Sequence, residues 1–242
     1  MSAFRAWLIT GTDTGVGKTF ATCALIHAAR AQGFTALGMK PVASGIETID
    51  GKSFNQDVVQ LLAASSFNPG LERLNPYCLR APISPHLAAR EENIHIELAR
   101  IRQAFDELAQ RCDRLFVEGA GGFLAPLGEE VDAPRIALDM DLPLILVVGM
   151  RLGCINHALL TAEAILSRGL RLEGWIANCI YPDMLCLYDN VDFLRHRLDA
   201  PLLGTLPHAP DAAFDALAHL VALPHQPVSS LSGDLHEYGK RC

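Results

Sequence analysis

The chain has 242 residues, of which 50% are hydrophobic and 19% are charged, and its formal net charge is −7. This length suits one α/β domain with a substantial core, and the composition excludes a disordered chain. The acidic balance, without a dense Lys/Arg cluster, argues against nucleic-acid binding, which needs a basic surface. Apolar runs such as Leu142–Met150 are too short to span a bilayer, and Met1–Gly11 lacks the apolar core of a secretory signal. We therefore expect a cytoplasmic protein that binds neither nucleic acid nor membrane.

The cysteine and histidine patterns give no sign of a disulfide framework or a zinc site. The seven cysteines are odd in number, scattered and never spaced Cys-x-x-Cys, and the nine histidines form no metal-ligand cluster. We interpret the cysteines as reduced thiols that are mostly buried.

Short apolar runs alternate with helical segments along the chain. Strands are predicted at Trp7–Thr10, Ala36–Lys40, Leu115–Glu118, Leu144–Gly149, Trp175–Asn178 and Leu202–Leu206. Helices are predicted at Lys18–Ala31, Gln56–Ala64, Glu97–Arg111, Ala133–Met140, Asn156–Arg168 and Leu187–Arg197. Near-continuous apolar strands indicate a sheet that is covered on both faces, and the alternation predicts parallel strands joined by right-handed crossovers.

No repeat or linker divides the sequence, so we expect a single α/β domain over residues 1–227. The composition loosens after Pro210, and Val228–Cys242 is interpreted as a C-terminal tail that is partly ordered.

The first predicted strand ends in a glycine-rich stretch, Gly11-Thr12-Asp13-Thr14-Gly15-Val16-Gly17-Lys18-Thr19, which leads directly into a helix. Glycines let the backbone curl around a phosphate, and N–H groups at the start of a helix point at the anion. Lys18 can reach the terminal phosphates, and the Thr19 hydroxyl can bind Mg²⁺. Five residues rather than four separate Gly11 from Gly17, which departs from the common phosphate-loop (P-loop) pattern. The strand before and the helix after favour nucleoside triphosphate binding over a simple glycine turn.

Lys40 ends the second predicted strand and is followed by Pro41, so its side chain is expected at the carboxyl edge of the sheet. Ligands of open α/β sheets bind at that edge, where a lysine supplies positive charge for phosphoryl transfer. The alternative is a structural lysine at the end of the sheet. Ser44 and Gly45 continue the same loop and are either substrate contacts or a turn.

Two carboxylates are candidates for holding Mg²⁺. Glu118 ends the third predicted strand and precedes a glycine cluster that exposes backbone to a close ligand. Asp57 lies in the first turn of a predicted helix, where an ordinary N-terminal aspartate is an equal alternative.

Asn178 and Cys154 also stand near predicted strand ends. An amide such as Asn178 matches the donor and acceptor edge of adenine, although a strand-end turn competes with that interpretation. Cys154 is interpreted as a buried thiol, because no accompanying histidine and carboxylate pattern supports a cysteine nucleophile.

Four ordered motifs together resemble the dethiobiotin synthetase family. They are Gly11–Thr19, Lys40-Pro41-Val42-Ala43-Ser44-Gly45, Val117-Glu118-Gly119-Ala120-Gly121-Gly122 and Leu152-Gly153-Cys154-Ile155-Asn156-His157. The five-residue spacing in the glycine loop is that family's own variant, and the resemblance covers about Trp7 to Pro207. It implies a P-loop NTPase fold and an ATP- and Mg²⁺-dependent cyclo-ligase of biotin biosynthesis. The implied partners are CO₂ or bicarbonate and 7,8-diaminopelargonic acid.

The resemblance also implies roles for particular residues. Lys18 and Lys40 would be catalytic, and Thr19, Asp57 and Glu118 would surround Mg²⁺. The implied ATP-binding residues are Thr14, Gly15, Val16, Gly17, Lys18, Thr19, Phe20, Asp57, Glu118, Gly119, Ala120, Gly121, Asn178, Cys179, Pro207, His208 and Ala209. Substrate would bind Ser44 and, from a neighbouring subunit of a homodimer, Gly153, Cys154, Ile155 and Asn156. Cys179 stands where the family often has an acidic residue.

Two other classes of P-loop protein fit the sequence less well than the dethiobiotin synthetase family. Related ATP ligases that act on cobalamin-type precursors usually carry a glutamine-hydrolysing domain, for which 242 residues leave little room. ATP-switched positioning proteins of the partition or septum-site type are expected to carry a second lysine early in the loop. The corresponding positions here are Thr12 and Asp13.

Overall fold

The structure, a computed structural model, describes residues 3–49, 52–209 and 213–224. The strands are β1 (Arg5–Gly11), β2 (Ala36–Met39), β3 (Val42–Ser44), β4 (Glu47–Ile49), β5 (Lys52–Phe54), β6 (Tyr77–Leu79), β7 (Arg114–Glu118), β8 (Leu144–Gly149), β9 (Leu172–Asn178) and β10 (Leu202–Leu206). The helices are α1 (Lys18–Ala31), α2 (Gln56–Ala64), α3 (Leu71–Leu74), α4 (Pro85–Glu91), α5 (Leu98–Ala109), α6 (Ala133–Asp139), α7 (Cys154–Leu166), α8 (Leu187–Arg197) and a 3₁₀ helix (Phe214–Leu220). The predicted tail, Val228–Cys242, lies outside the described residues.

Within the described ranges, the main sheet has six strands in the order β10-β9-β8-β1-β7-β2, and all neighbours are parallel. β1 lies between β7 and β8, with Ile9 opposite Glu118 and Gly11 opposite Val147. The chain leaves β1 toward one edge of the sheet and later crosses to the other. This reversal puts the ligand crevice of a doubly wound sheet at the carboxyl end of β1.

Both faces of the sheet are covered, as the apolar strands predict. In β1, Leu8 faces a core that includes residues of α5 and α6, whereas Trp7 and Ile9 face the α1 and α2 side. Trp7 stacks on Phe116 with ring centroids 5.4 Å apart, and its indole N–H donates to Glu173 at 2.8 Å. A further cluster packs α7 and α8 against β8 and β9. The predicted α/β fold with helices on both faces of a mostly parallel sheet is confirmed.

Each of the six predicted strands overlaps a strand of the main sheet, and the predicted helices are present with small shifts at their ends. α7, for example, begins at Cys154 instead of Asn156 because Gly153 forms its N-cap at φ +92°. Two small sheets were not predicted: β3 and β6, which pair in parallel, and the antiparallel hairpin of β4 and β5. Each of these strands has three residues, too few to give a periodic pattern.

The 3₁₀ helix after β10 packs onto α1, with Phe20 and Phe214 edge to face at 5.8 Å. Val221 then forms a bridge with Gly204 in β10. A Cβ atom on Gly204 would overlap the carbonyl oxygen of Leu220, so this close approach requires glycine. In the part of the chain that the structure describes, no helix combines the length and apolarity needed to cross a membrane.

Candidate active site

The glycine-rich loop, residues 12–17, joins β1 to α1 at the centre of the sheet. Gly15 and Gly17 have φ values of +74° and +81°, which L side chains rarely adopt. Val16 is buried beneath the loop, so close to the strand ends that a Cβ on Gly11 or Gly149 would lie 2.7 or 2.9 Å from its methyl groups. The loop therefore presents the N-terminus of α1 toward the carboxyl edge of the sheet, where an anion binds favourably.

Lys18 is the first residue of α1, and its side chain reaches back to this loop. Its Nζ donates to the carbonyl oxygen of Asp13 at 3.1 Å, and the residue is only 7% exposed. Burial, followed by repulsion from the charge of Lys40, lowers the pKa of Lys18 to about 8. The ammonium group beside the loop thus lacks a close carboxylate among the described residues.

Lys40 lies between two carboxylates. Its Nζ is 2.5 Å from Oε1 of Glu118 and 2.9 Å from Oδ2 of Asp57. Burial alone would lower the pKa of Lys40, but the charges of Glu118 and Asp57 outweigh it and raise the pKa above its usual value. Lys40 is therefore a permanent cation at the carboxyl edge of the sheet.

Glu118 connects Lys40 to the phosphate loop. The Thr19 hydroxyl donates to Oε1 of Glu118 at 2.7 Å. Oε2 of the same carboxylate is buried and has no hydrogen-bond partner among the described residues. A buried carboxylate oxygen normally has a donor or a cation beside it, so this atom is available to accept from a ligand or to bind a cation.

Asp57 forms the solvent-facing side of the cluster, with its side chain 43% exposed. Burial works to raise the pKa of Asp57, but the charge of Lys40 and its hydrogen bond lower it below the usual value. The structure thus brings together Lys18, Thr19, Lys40, Asp57 and Glu118, which the sequence analysis selected from four separate segments.

Two buried asparagines donate hydrogen bonds to the backbone of the segment that follows β2. Neither asparagine was predicted as a site residue. Nδ2 of Asn75 donates to the carbonyl oxygens of Lys40 at 2.6 Å and Tyr77 at 2.9 Å. Nδ2 of Asn55 donates to the carbonyls of Ser44 at 3.2 Å and Gly45 at 2.8 Å. A hydrogen bond from an amide side chain to a backbone carbonyl elsewhere in the chain leaves no pattern in the sequence.

The loop after β7 packs against the phosphate loop. The N–H of Gly119 donates to the carbonyl of Ile9 at 3.0 Å, which continues the strand pairing. A Cβ on Gly121 would be 3.6 Å from the hydroxyl of Thr14, and one on Gly122 would be 3.7 Å from Cα of Asp13. Ala120 is half-buried between these glycines.

Asn178, at the end of β9, is buried and contacts the phosphate loop directly. Its Nδ2 donates to the carbonyl of Val16 at 2.8 Å. The thiol of Cys179 is buried, which raises its pKa to about 11, and its backbone N–H donates to Leu206. Pro207 and His208 are exposed and Ala209 is half-buried after the adjacent strand β10.

The predicted substrate residues fall on two other strand ends. Ser44 ends β3 and is half-buried, and the 153–156 segment forms the start of α7, where Gly153 and Asn156 are exposed, Ile155 is half-buried and Cys154 is buried. Arg151, just before that helix, pairs with Asp13 of the phosphate loop at 2.6 Å. The N–H of Thr14 donates to the same carboxylate at 2.7 Å, and this bond, with the charge of Arg151, lowers the pKa of Asp13.

Comparison with known proteins gives the family. A family model described as an AAA domain matches residues 5–215. A protein of Aromatoleum aromaticum named ATP-dependent dethiobiotin synthetase BioD is 57% identical over 93% of this chain and 100% of its own length. The chain belongs to the dethiobiotin synthetase family. Relatives with the same name are 47% identical in Xanthomonas campestris, over 91% of this chain and 99% of theirs, and 50% identical in Nitrosospira multiformis, over 86% and 90%.

Solved structures show the fold that dethiobiotin synthetases share with other P-loop proteins. A ParA family ATPase from Chlorobium tepidum superposes with a TM-score of 0.53 at 15% identity, covering 86% of each chain. The septum site-determining protein MinD with Mg-ADP from Pyrococcus horikoshii gives 0.51 at 17% identity, over 88% of this chain and 95% of that chain. At these identities the likeness concerns the fold alone.

Proposed function

We propose that the protein is an ATP-dependent dethiobiotin synthetase, which joins CO₂ to 7,8-diaminopelargonic acid and closes the ureido ring. The observation that carries the proposal is the position of Lys40. This buried, permanently charged lysine lies beside the phosphate loop, between Glu118 and Asp57. A ligase that activates a carbamate with ATP needs fixed positive charge where the γ-phosphate and the carbamate meet.

In this proposal the phosphate loop holds the triphosphate. Backbone N–H groups from Thr14 to Phe20 would face the phosphate oxygens, and Lys18 would move from the Asp13 carbonyl to the β- and γ-phosphates. Asn178, Cys179 and the 207–209 segment would flank the base. Gly119, Ala120 and Gly121 would line the space beside the phosphates.

The residues at the site also fit Mg²⁺, which takes oxygen ligands and keeps several water or phosphate oxygens. Thr19, Asp57 and Glu118 would hold the ion, and the unpaired Oε2 of Glu118 is the observation that favours it. Since the described residues contain no cluster of three metal-binding side chains, phosphates and water would complete the set. A bound Mg²⁺ would neutralise charge on the phosphates.

The reaction has three steps. One amine of the substrate adds to CO₂ and loses a proton, giving a carbamate near Ser44 and Lys40. A carbamate oxygen attacks the γ-phosphorus of ATP, the bond to the bridging oxygen breaks, and ADP leaves. The second amine attacks the carbonyl carbon of the carbamic–phosphoric anhydride, and phosphate leaves as the ring closes and a proton is lost. Lys18 and Lys40 would stabilise the charge that develops on the transferred group.

The proposed enzyme is a homodimer in which the start of α7 receives the carboxylate tail of the substrate bound to the neighbouring subunit. Gly153, Cys154, Ile155 and Asn156 are at the N-terminus of that helix, which favours anions. Leu152 is 99% exposed and Leu160 on α7 is 57% exposed, which favours an apolar contact on this side of the molecule.

The test is an assay of purified protein with ATP, Mg²⁺, bicarbonate and 7,8-diaminopelargonic acid. We expect phosphate release that depends on the diamine, and dethiobiotin detected by mass spectrometry. ATP hydrolysis that proceeds equally without the diamine would exclude the ligase function.

Lys40→Ala should lower kcat by about 10²- to 10³-fold, the usual effect of removing one group that stabilises transition-state charge. Arg102→Ala is the control, because this arginine is partly exposed and pairs with Asp106 and with Asp139, which ends α6 before the amino end of β8. Near-normal turnover by Lys40→Ala would show that Lys40 has no catalytic role. The ligase function itself is tested separately, by the reaction of the wild-type protein.

A further inference from the structure

The Asn178 side chain contacts the phosphate loop at Val16 and Gly17. Its Nδ2 donates to the carbonyl of Val16 at 2.8 Å, and both residues are buried. Val16 immediately precedes Gly17, the left-handed N-cap of α1. The hydrogen bond therefore acts on the peptide unit that sets the direction of the first N–H groups of α1.

Packing at the same point limits where the loop can lie. A Cβ atom on Gly17 would overlap Nδ2 of Asn178, so loop and amide are in direct contact. On the other side, Val16 packs so tightly against the ends of β1 and β8 that Gly11 and Gly149 could not carry a Cβ without displacement. Val16 is thus fixed by packing from the sheet and by one hydrogen bond from β9.

That hydrogen bond uses part of the amide only. An asparagine side chain offers two N–H donors and one carbonyl acceptor, and the Val16 bond takes one donor. Within the described residues, one N–H and Oδ1 are left for another partner, so contact with a base and contact with the loop are compatible. Contact between Asn178 and the base would affect recognition of the base, whereas contact between Asn178 and the loop would affect binding of the phosphates.

We infer that Asn178 is a positioning residue for the phosphate loop, which sets the affinity for the triphosphate itself independently of any contact with the base. The inference rests on the proposed nucleotide site. Without the bond to Val16, the Val16–Gly17 peptide unit could rotate, and the N–H groups of the loop would lose their common direction toward the phosphates. When the loop N–H groups are already oriented in the free protein, binding does not have to order them, and the affinity for the triphosphate is higher.

The experiment uses tripolyphosphate with Mg²⁺, a probe with neither base nor ribose. Wild-type protein, Asn178→Ala and Asn68→Ala are compared by displacement of a fluorescent ATP analogue. We expect about fivefold to tenfold weaker tripolyphosphate binding for Asn178→Ala, the usual effect of losing one hydrogen bond. Asn68 is the control, since this exposed side chain accepts from the N–H of Gly70 and, among the described residues, forms no hydrogen bond with the phosphate loop.

Hydrogen exchange in the free protein provides a second measurement. The amides of residues 12–19 should exchange faster in Asn178→Ala and in Asn178→Asp, where a carboxylate oxygen would face the Val16 carbonyl. Thermal melting shows whether each variant is folded.

Tripolyphosphate affinity and loop exchange that both equal wild type in a folded Asn178→Ala would overturn the inference and leave a role in base contact alone. Wild-type protein that binds ATP but not tripolyphosphate would also overturn it, because the loop would then have no base-independent affinity for Asn178 to support. Wild-type protein that binds neither contradicts the proposed function instead.

Discussion

Two lysines of the site, Lys18 and Lys40, have pKa values shifted in opposite directions. Lys40 has two carboxylates within 2.9 Å, which hold its pKa above the usual value against the effect of burial. Among the described residues, Lys18 has only the carbonyl of Asp13 within hydrogen-bond distance, and burial lowers its pKa to about 8. One lysine is therefore always charged, whereas the other gains a full charge near neutral pH or when an anion arrives.

The low pKa of Lys18 predicts a pH dependence of nucleotide binding. The charged form of Lys18 is the one that binds phosphate. The affinity for ADP should therefore be constant below about pH 8, where Lys18 is already protonated in the free protein. Above that pH it should fall by up to tenfold per unit, because a proton must then be taken up on binding. Titration calorimetry between pH 7 and 9.5 tests this, since the phosphates are already ionised near pH 6.

The matched control for this measurement is Lys18→Arg, whose guanidinium stays charged over the whole range. The affinity of that variant, whatever its absolute value, should not change between pH 7 and 9.5. A wild-type affinity that is equally flat would contradict the assignment of the low pKa to Lys18.

At this scale the sequence predicted the residues that lie at strand ends. Lys18, Lys40 and Glu118 end or follow strands of a parallel sheet that terminate at one edge, so they were predicted to lie near one another. Asp57 lies at the start of a helix instead, and the sequence left an ordinary N-terminal aspartate as an equal alternative. Asn55 and Asn75 were not predicted, since their partners are backbone carbonyls that no residue pattern reveals. Arg151 was likewise missed, because its partner Asp13 is 138 positions away.

Among the elements, the long strands were predictable and the small ones were not. A strand such as β8, with six buried apolar or glycine residues, is evident from the sequence. Three-residue strands such as β3 and β6 depend on each other for pairing, and the 3₁₀ helix depends on α1 and β10. Tertiary contacts, rather than local preference, form those elements.

The contact between β10 and the 3₁₀ helix gives an element-scale prediction. Gly204→Ala should lower the free energy of unfolding by about 1–3 kcal/mol, because a Cβ there displaces the backbone of residues 220–221. Urea denaturation followed by circular dichroism measures the change. Thr205→Ala, at the next strand position, is the control and should have a smaller effect; equal stability of Gly204→Ala and wild type would contradict the close approach.

At the scale of the whole molecule, the proposed homodimer can be tested by measuring the molar mass of the protein in solution. Leu152→Glu places a charge on a side chain that is 99% exposed in one subunit and would be buried in the dimer. Sedimentation equilibrium should show a dimer for the wild type and a mostly monomeric variant. Leu71→Glu, 57% exposed on α3, is the control and should remain dimeric.

A monomeric wild-type protein would exclude the shared site. A dimeric Leu152→Glu would place the interface elsewhere on the molecule. The length and the alternation of strands and helices predicted the fold class. A self-association surface depends on which side chains are exposed together, and that is a property of the folded chain.

The ion pair between Asp13 and Arg151 has a consequence for protein engineering. It joins the loop after β1 to the loop after β8, and Asp13 also accepts the N–H of Thr14. A chimaera that imports one of these loops from another P-loop protein would leave the other with an unmatched charge, and the register of the phosphate loop would change with it. The two loops form one transplantable unit, although more than a hundred residues separate them in the chain.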